Sequence, residues 1–225
     1  MIKKTVLFIA CLSSVLLAGC NTPTTTAQVP VIQTSGQVSQ SPSQAASTPT
    51  AAFIPYVDAN EFLEQANDRV RFKNWNFSIV LPTEDWALDR FTGKDFPSDM
   101  TAGTFVRNPL PNKEVSPAVT IIFNRIPNGL GVQQYSAAVM QGKESYFSNI
   151  LDTFKSGDKR ISLENAIGFI TKYKEQGKDY DSMAYFIYAT SNDIGVQVIM
   201  AGDLESMQAI QKELETMIGS FQFEK

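Results

Sequence analysis

The residue types that most often carry chemistry are scarce in this chain. There is no histidine, so Ser-His-Asp and Cys-His catalysis are ruled out. Its two cysteines are Cys11 and Cys20. With no imidazole, and no thiol after residue 20, zinc, copper and haem sites of the usual kind are excluded. No Gly-x-Ser-x-Gly elbow, Walker A loop or Gly-x-Gly-x-x-Gly fingerprint occurs. No catalytic residue, metal site or cofactor is assigned. The neighbouring carboxylates weighed for chemistry are Asp179-Tyr180-Asp181 beside Lys178, Glu84-Asp85, and Asp95 with Asp99. A calcium loop needs about six oxygens or more, and no EF-hand pattern of Asp, Gly and closing Glu is present. The Asp179 segment reads as a turn and the other carboxylates as solvated loop charge. A hydrolase built on paired carboxylates, Ser or Lys stays open as an alternative, because carboxylate separation is set by the tertiary fold.

Other residues suggest binding. Trp86 lies with Phe91 and Phe96 in a loop-rich stretch from Asp85 to Pro111, and an aromatic cluster there is a candidate partner-binding patch. Closing the core is the competing role for Trp86 and the favoured one for Trp75. Asn128-Gly129-Leu130-Gly131 precedes a helix, where an anion could sit; a turn that needs glycine for positive φ is the favoured reading. Met183, Met200, Met207 and Met217 fall at core positions of strands and helices and read as packing.

The N-terminus carries the sharpest signal. Lys3-Lys4 is followed by an apolar run from Val6 to Leu17 interrupted by Ser13-Ser14. At about 12 residues this run is too short for a bilayer, which takes about 20, and it reads as an export signal. Leu17-Ala18-Gly19-Cys20 resembles the lipobox of bacterial lipoproteins. The resemblance implies cleavage after residue 19 and lipidation of Cys20, palmitate included. Cysteine arithmetic agrees, since Cys11 would be lost with the signal and Cys20 would have nothing to pair with. Several acyl chains on one residue anchor stably where one does not. Asn21 follows the cysteine. In Gram-negative sorting an aspartate there retains a lipoprotein in the inner membrane, so Asn21 implies the outer membrane, with the domain in the periplasm or at the surface.

Residues 20–52 hold the lipidated cysteine and a tether of Thr, Ser, Gln, Ala and Pro. No Asp, Glu, Lys or Arg occurs between Lys4 and Asp58. Such a segment cannot bury enough apolar surface to offset its ordering entropy. Extended, about 32 residues reach roughly 110 Å; as a coil they average nearer 30 Å. The charge, net −4 over the chain, lies in the remainder and is acidic in balance, which argues against nucleic acid and against electrostatic docking on anionic lipid.

A globular domain is expected over 53–225. Asp58 and Glu61 suggest a capping box opening a helix through Arg69. Val70 to Phe72, Trp75 to Leu81, Trp86 to Arg90, Thr104 to Arg107 and Ala118 to Ile126 read as strands. A long helix should carry Val132, Tyr135, Val139, Gly142, Tyr146, Ile150 and Phe154. Strands follow at Arg160 to Leu163, Ala166 to Lys174, Met183 to Thr190 and Gly195 to Ala201. Asp203 caps a last helix carrying Leu204 to Ile218, and Phe221 to Phe223 adds an edge strand. Several strands are apolar on both sides and need cover on both faces. The expected fold is therefore α+β: a mainly antiparallel sheet covered by helices on both faces, an α/β/α sandwich.

Phe77-Ser78-Ile79-Val80-Leu81-Pro82 followed by Trp86 resembles the G-F-S-hydrophobic-x-x-P-x-x-W opening of PsbP-like and DcrB-like domains. The likeness in element order runs from about Arg69 to Phe223. Asn76 stands where a glycine is usual, and three residues rather than two separate Pro82 from Trp86. The resemblance implies a helix-covered antiparallel sheet and binding more often than catalysis. PsbP-like proteins bind and stabilise membrane complexes, some relatives are secretion-effector chaperones, and many are bacterial lipoproteins. The expectation is a lipid-anchored envelope accessory module that docks on a protein partner or assembly, held at the membrane through Cys20. The alternatives are the hydrolase above and a carrier of a small apolar ligand.

Overall fold

Alternating apolar side chains dominate the chain from residue 63 on, and strands follow from them. The computed structural model describes residues 63–92, 100–113, 115–174 and 177–224. The expectations placed on Cys20, Asn21, the tether, the Asp58 and Glu61 capping box, Asp95, Asp99 and Phe96 lie outside those residues. The strands are β1 (Leu63–Ala66), β2 (Arg69–Phe72), β3 (Phe77–Val80), β4 (Trp86–Thr92), β5 (Met100–Arg107), β6 (Ala118–Arg125), β7 (Ile150–Lys155), β8 (Ala166–Lys174), β9 (Asp181–Ser191), β10 (Ile194–Asp203) and β11 (Gln222–Phe223). The helices are α1 (Val132–Met140), α2 (Leu204–Ala209) and α3 (Gln211–Gly219).

These strands build two sheets, not one. The larger is antiparallel throughout, in the order β4-β5-β6-β10-β9-β8-β7; the smaller runs β1-β2-β3-β11. The helix-covered α/β/α sandwich is therefore corrected. Strands outweigh helices, and one face of the large sheet is covered by the second sheet as well as by α2 and α3. Phe123 of β6 sits at that junction, fully buried. Its ring stacks on Trp75 at 5.3 Å and meets Phe72 at 4.8 Å and Phe77 at 5.5 Å. Aromatic pairs of this kind add about 0.5–1.5 kcal/mol each beyond burial.

The opposite face carries a separate aromatic layer. Tyr173, Phe186 and Tyr188 lie beneath α1 and the 3-10 turn Glu144–Phe147. Tyr135 of α1 is seated on Gly195 of β10, where a Cβ would lie 2.5 Å from the ring. Its hydroxyl reaches Asn124 Oδ1 at 3.0 Å.

Three local expectations change for physical reasons. From Leu63 on, the helix expected through Arg69 gives way to the β1–β2 hairpin, turned at Asn67 with φ 57°. The long helix stops at Met140 because Gly142 takes φ 77°, and Ile150 and Phe154 then belong to strand β7. No strand forms at 160–163; Ile161 and Leu163 enter the core from irregular backbone instead. The turn reading of Asn128 to Gly131 holds, with Gly129 at φ 81°. Asn76 sits at φ 45°, meeting the demand a glycine would meet there.

Candidate functional site

Two regions gather the side chains the sequence singled out. The first is the β4 edge. Pairing with β5 puts Trp86 opposite Arg107, Leu88 opposite Phe105 and Phe91 opposite Gly103, with a bulge between Leu88 and Arg90. The three apolar residues therefore share one face. Trp86 is only 5% exposed and belongs to the core. Its indole N–H donates to Glu213 Oε2 at 2.9 Å. Phe91 is half-buried and packs on the same core. Leu88 between them is 39% exposed. The structure thus brings Trp86 and Phe91 onto one strand but gives Trp86 its core role. Leu88 was not singled out by sequence, although its place two residues after Trp86 put it on the same face.

Glu213 and Arg107 form the polar centre of this edge. Arg107 Nε donates to Glu213 Oε2 at 3.0 Å and its Nη2 to Oε1 at 2.9 Å, a two-pronged pair. Nη2 also donates to Asp85 Oδ2 at 3.2 Å. Hydrogen bonds from Arg107 hold the Glu213 carboxyl below its ordinary range; burial opposes this and the Trp86 N–H assists it. The cluster ties β4 and β5 to α3. All its charges face one another, so its role is structural. Sequence gave no sign of it because the partners are more than 100 residues apart.

The second region is a cleft of about 480 Å³ lined by Asn112, Lys113 and Val115, the 179–181 segment and the start of α2. Lys113 pairs with Glu205, and its ammonium lies 3.8 Å from Asp203 Oδ1. That same oxygen accepts the Ser206 N–H at 2.9 Å and caps α2. Lys172 pairs with Asp181 at 2.7 Å and lowers the pKa of its carboxyl. The hydrogen bond to Glu205 raises the pKa of Lys113, which keeps it protonated and poorly suited to act as a nucleophile. Among the described residues no group of three or more His, Cys, Asp or Glu is placed to hold a metal. The Asp179 and Asp181 carboxylates do line one cleft with Asp203 and Glu205, yet Lys113 and Lys172 pair with Glu205 and Asp181 and neutralise part of that charge. Charged lining of this kind also does not suit an apolar ligand.

No known protein family matches the chain, and no curated protein does. Among solved structures, a protein from Bacteroides thetaiotaomicron is 14% identical over 67% of this chain and 46% of its own, with a TM-score of 0.42. The chain thus spans about half the length of that protein. LpqN of Mycobacterium tuberculosis, described as involved in cell envelope biogenesis, is 12% identical over 66% of this chain and 84% of its own, with a TM-score of 0.42. A protein of unknown function from Pseudomonas aeruginosa is 10% identical over 56% of this chain and 89% of its own, with a TM-score of 0.36. Likeness at this level carries no argument about what the chain does.

Proposed function

We propose that this protein is a lipid-anchored accessory module of the bacterial envelope that docks on a protein partner or assembly. The observation that carries the reading is Leu17-Ala18-Gly19-Cys20 at the end of a Lys3-Lys4-led apolar run, followed by an uncharged Thr/Ser/Gln/Pro tether. The chemistry of the folded part supports binding over catalysis. Lys113 and Lys172 are paired with Glu205 and Asp181 at the cleft, and Arg107 with Glu213 and Asp85 at the β4 edge, so the bases of both regions are engaged by carboxylates. Among the described residues no helix is long and apolar enough to cross a membrane, so the lipid on Cys20 would do the anchoring. The β4 edge, with exposed Leu88 beside half-buried Phe91, is the part of the expected aromatic patch that a partner could touch.

Crosslinking in intact cells, read by mass spectrometry, tests the docking. One recurrent envelope protein captured by the parent, and lost on Leu88→Asp with the fold retained, supports both the reading and the contact. A captured set indistinguishable from that of an unrelated lipoprotein would sink it.

A further inference from the structure

The large sheet ends at β4 and β7, and an open edge strand invites a new strand from another chain. Both edges are bulged, β4 between Leu88 and Arg90 and β7 between Ile150 and Asp152. Bulges break the regular ladder a newcomer would need. Strand β7 carries a second device. Phe154 is paired with Gly168, and the Ser156 N–H donates to the Ala166 carbonyl at 3.0 Å. In an antiparallel ladder this turns the backbone groups of Thr153 and Lys155 away from β8.

Those outward groups are met from within the chain. The Thr153 N–H donates to Asp152 Oδ1 at 2.7 Å. Arg160 Nη2 reaches the Thr153 carbonyl at 3.4 Å. The Asp158 N–H donates to the Lys155 carbonyl at 2.9 Å. Arg160 is itself clamped: Nε and Nη2 donate to Asp158 at 3.0 and 2.7 Å, and Nη1 donates to Asp152 Oδ2. Its guanidinium carbon lies 4.8 Å over the Phe154 ring. One side chain therefore holds an edge carbonyl and the carboxylate that holds the adjacent edge N–H.

We propose that Arg160 and Asp152 form a latch that closes the β7 edge, and that the surface behind the latch is one on which a second copy of this chain pairs, β7 to β7. A second copy is the occupant because an antiparallel edge is its own complement under a two-fold axis. With Thr153 facing Thr153, each copy's N–H meets the other's carbonyl. The bulge at Leu151 ends the regular ladder there, so the pairing is confined to Asp152, Thr153 and Phe154 of each copy. Ile150 and Leu151, at the open end of the same strand, are 44% and 50% exposed. This inference stands on the edge alone and does not need the envelope reading.

The test uses the full chain in mild detergent over a range of protein concentrations, with mass read by sedimentation velocity and folding by circular dichroism. The parent should remain monomeric. Arg160→Ala and Asp152→Ala should each self-associate to dimers at least tenfold more tightly. Amide exchange at Thr153 in the dilute variants should be at least tenfold faster than in the parent. Adding Thr153→Pro to Arg160→Ala removes the outward N–H without touching the β8 ladder, a place where an edge tolerates proline, and should restore the monomer. A folded Arg160→Ala that stays monomeric throughout would overturn the proposal, as would association that Thr153→Pro leaves intact or a parent that already dimerises. If Arg160→Ala does not fold, Asp152→Ala decides between the same outcomes.

Discussion

Phe154 lies flat on Gly168 of the neighbouring strand: a Cβ built on that glycine would sit 2.3 Å from the ring's Cζ. The ring is 3% exposed and has the Arg160 guanidinium 4.8 Å over it. It has little room to move away. Gly168→Ala should therefore destabilise the fold by about 1–3 kcal/mol, the range for overpacking, despite alanine's better strand propensity. Urea denaturation measures it. Pairing Gly168→Ala with Phe154→Leu should recover part of the loss. Additive losses would show that the ring is not what the new methyl meets.

Glu213 joins Arg107 and Trp86 in one nearly buried cluster, with the Arg107 side chain 10% exposed. Glu213→Ala leaves that guanidinium with the half-exposed Asp85 carboxylate and should cost about 2–4 kcal/mol. Glu213→Gln keeps an acceptor for the indole and should cost about half of that. The pH dependence follows from the lowered carboxyl pKa. Unfolded, Glu213 titrates near its ordinary 4.5; folded, it titrates lower, through the Arg107 hydrogen bonds. Its contribution is complete above the unfolded value and is lost as pH falls through the folded one. The stability gap between parent and Glu213→Gln should be flat at neutral pH and narrow in acid. A gap independent of pH would mean that the charge plays no part.

The two sheets show how far sequence reaches. The strands at β3, β6, β8, β9 and β10 were legible because their side chains alternate in period two. Their faces were legible as well, since Val119, Ile121 and Phe123 oppose Ile122. What alternation cannot say is which strand pairs with which. β2 and β3 alternate as strands of one large sheet would, yet they pair with β1 and β11 and turn their aromatic side against Phe123. Strand β7 was lost for another reason. Tyr146, Ile150 and Phe154 fall at four-residue steps, which mimic a helical face, and only the positive φ of Gly142 breaks the helix before them. The aromatic patch was half legible. Trp86, Leu88 and Phe91 share a face, but the acceptor that draws Trp86 inward is Glu213, far along the chain.

Asp203 ends β10 and caps α2 with one oxygen, while its other oxygen is buried without a hydrogen-bond partner. Asp203→Ala should cost about 1 kcal/mol through the lost cap. Asp203→Asn keeps a capping oxygen and should lie closer to the parent than the alanine variant does. Thermal melts of the three chains check this. An asparagine variant as unstable as alanine would show that the contact with Lys113, rather than the cap, is what Asp203 supplies.

The anchoring reading makes a prediction at two adjacent residues. Lipidation needs the thiol, so Cys20→Ala should leave an unprocessed precursor or release the domain, and the variant should leave the detergent phase on phase separation. Asn21 lacks the charge of an aspartate, so in a Gram-negative host the parent should appear in the outer-membrane fraction of a sucrose gradient. Asn21→Asp should move it to the inner membrane without changing its stability, because the substitution leaves every contact described in the folded part unchanged. The two results separate anchoring from sorting. Cys20→Ala partitioning like the parent would remove the lipid from the argument altogether. A parent found in the inner membrane would keep the lipid and remove only the destination.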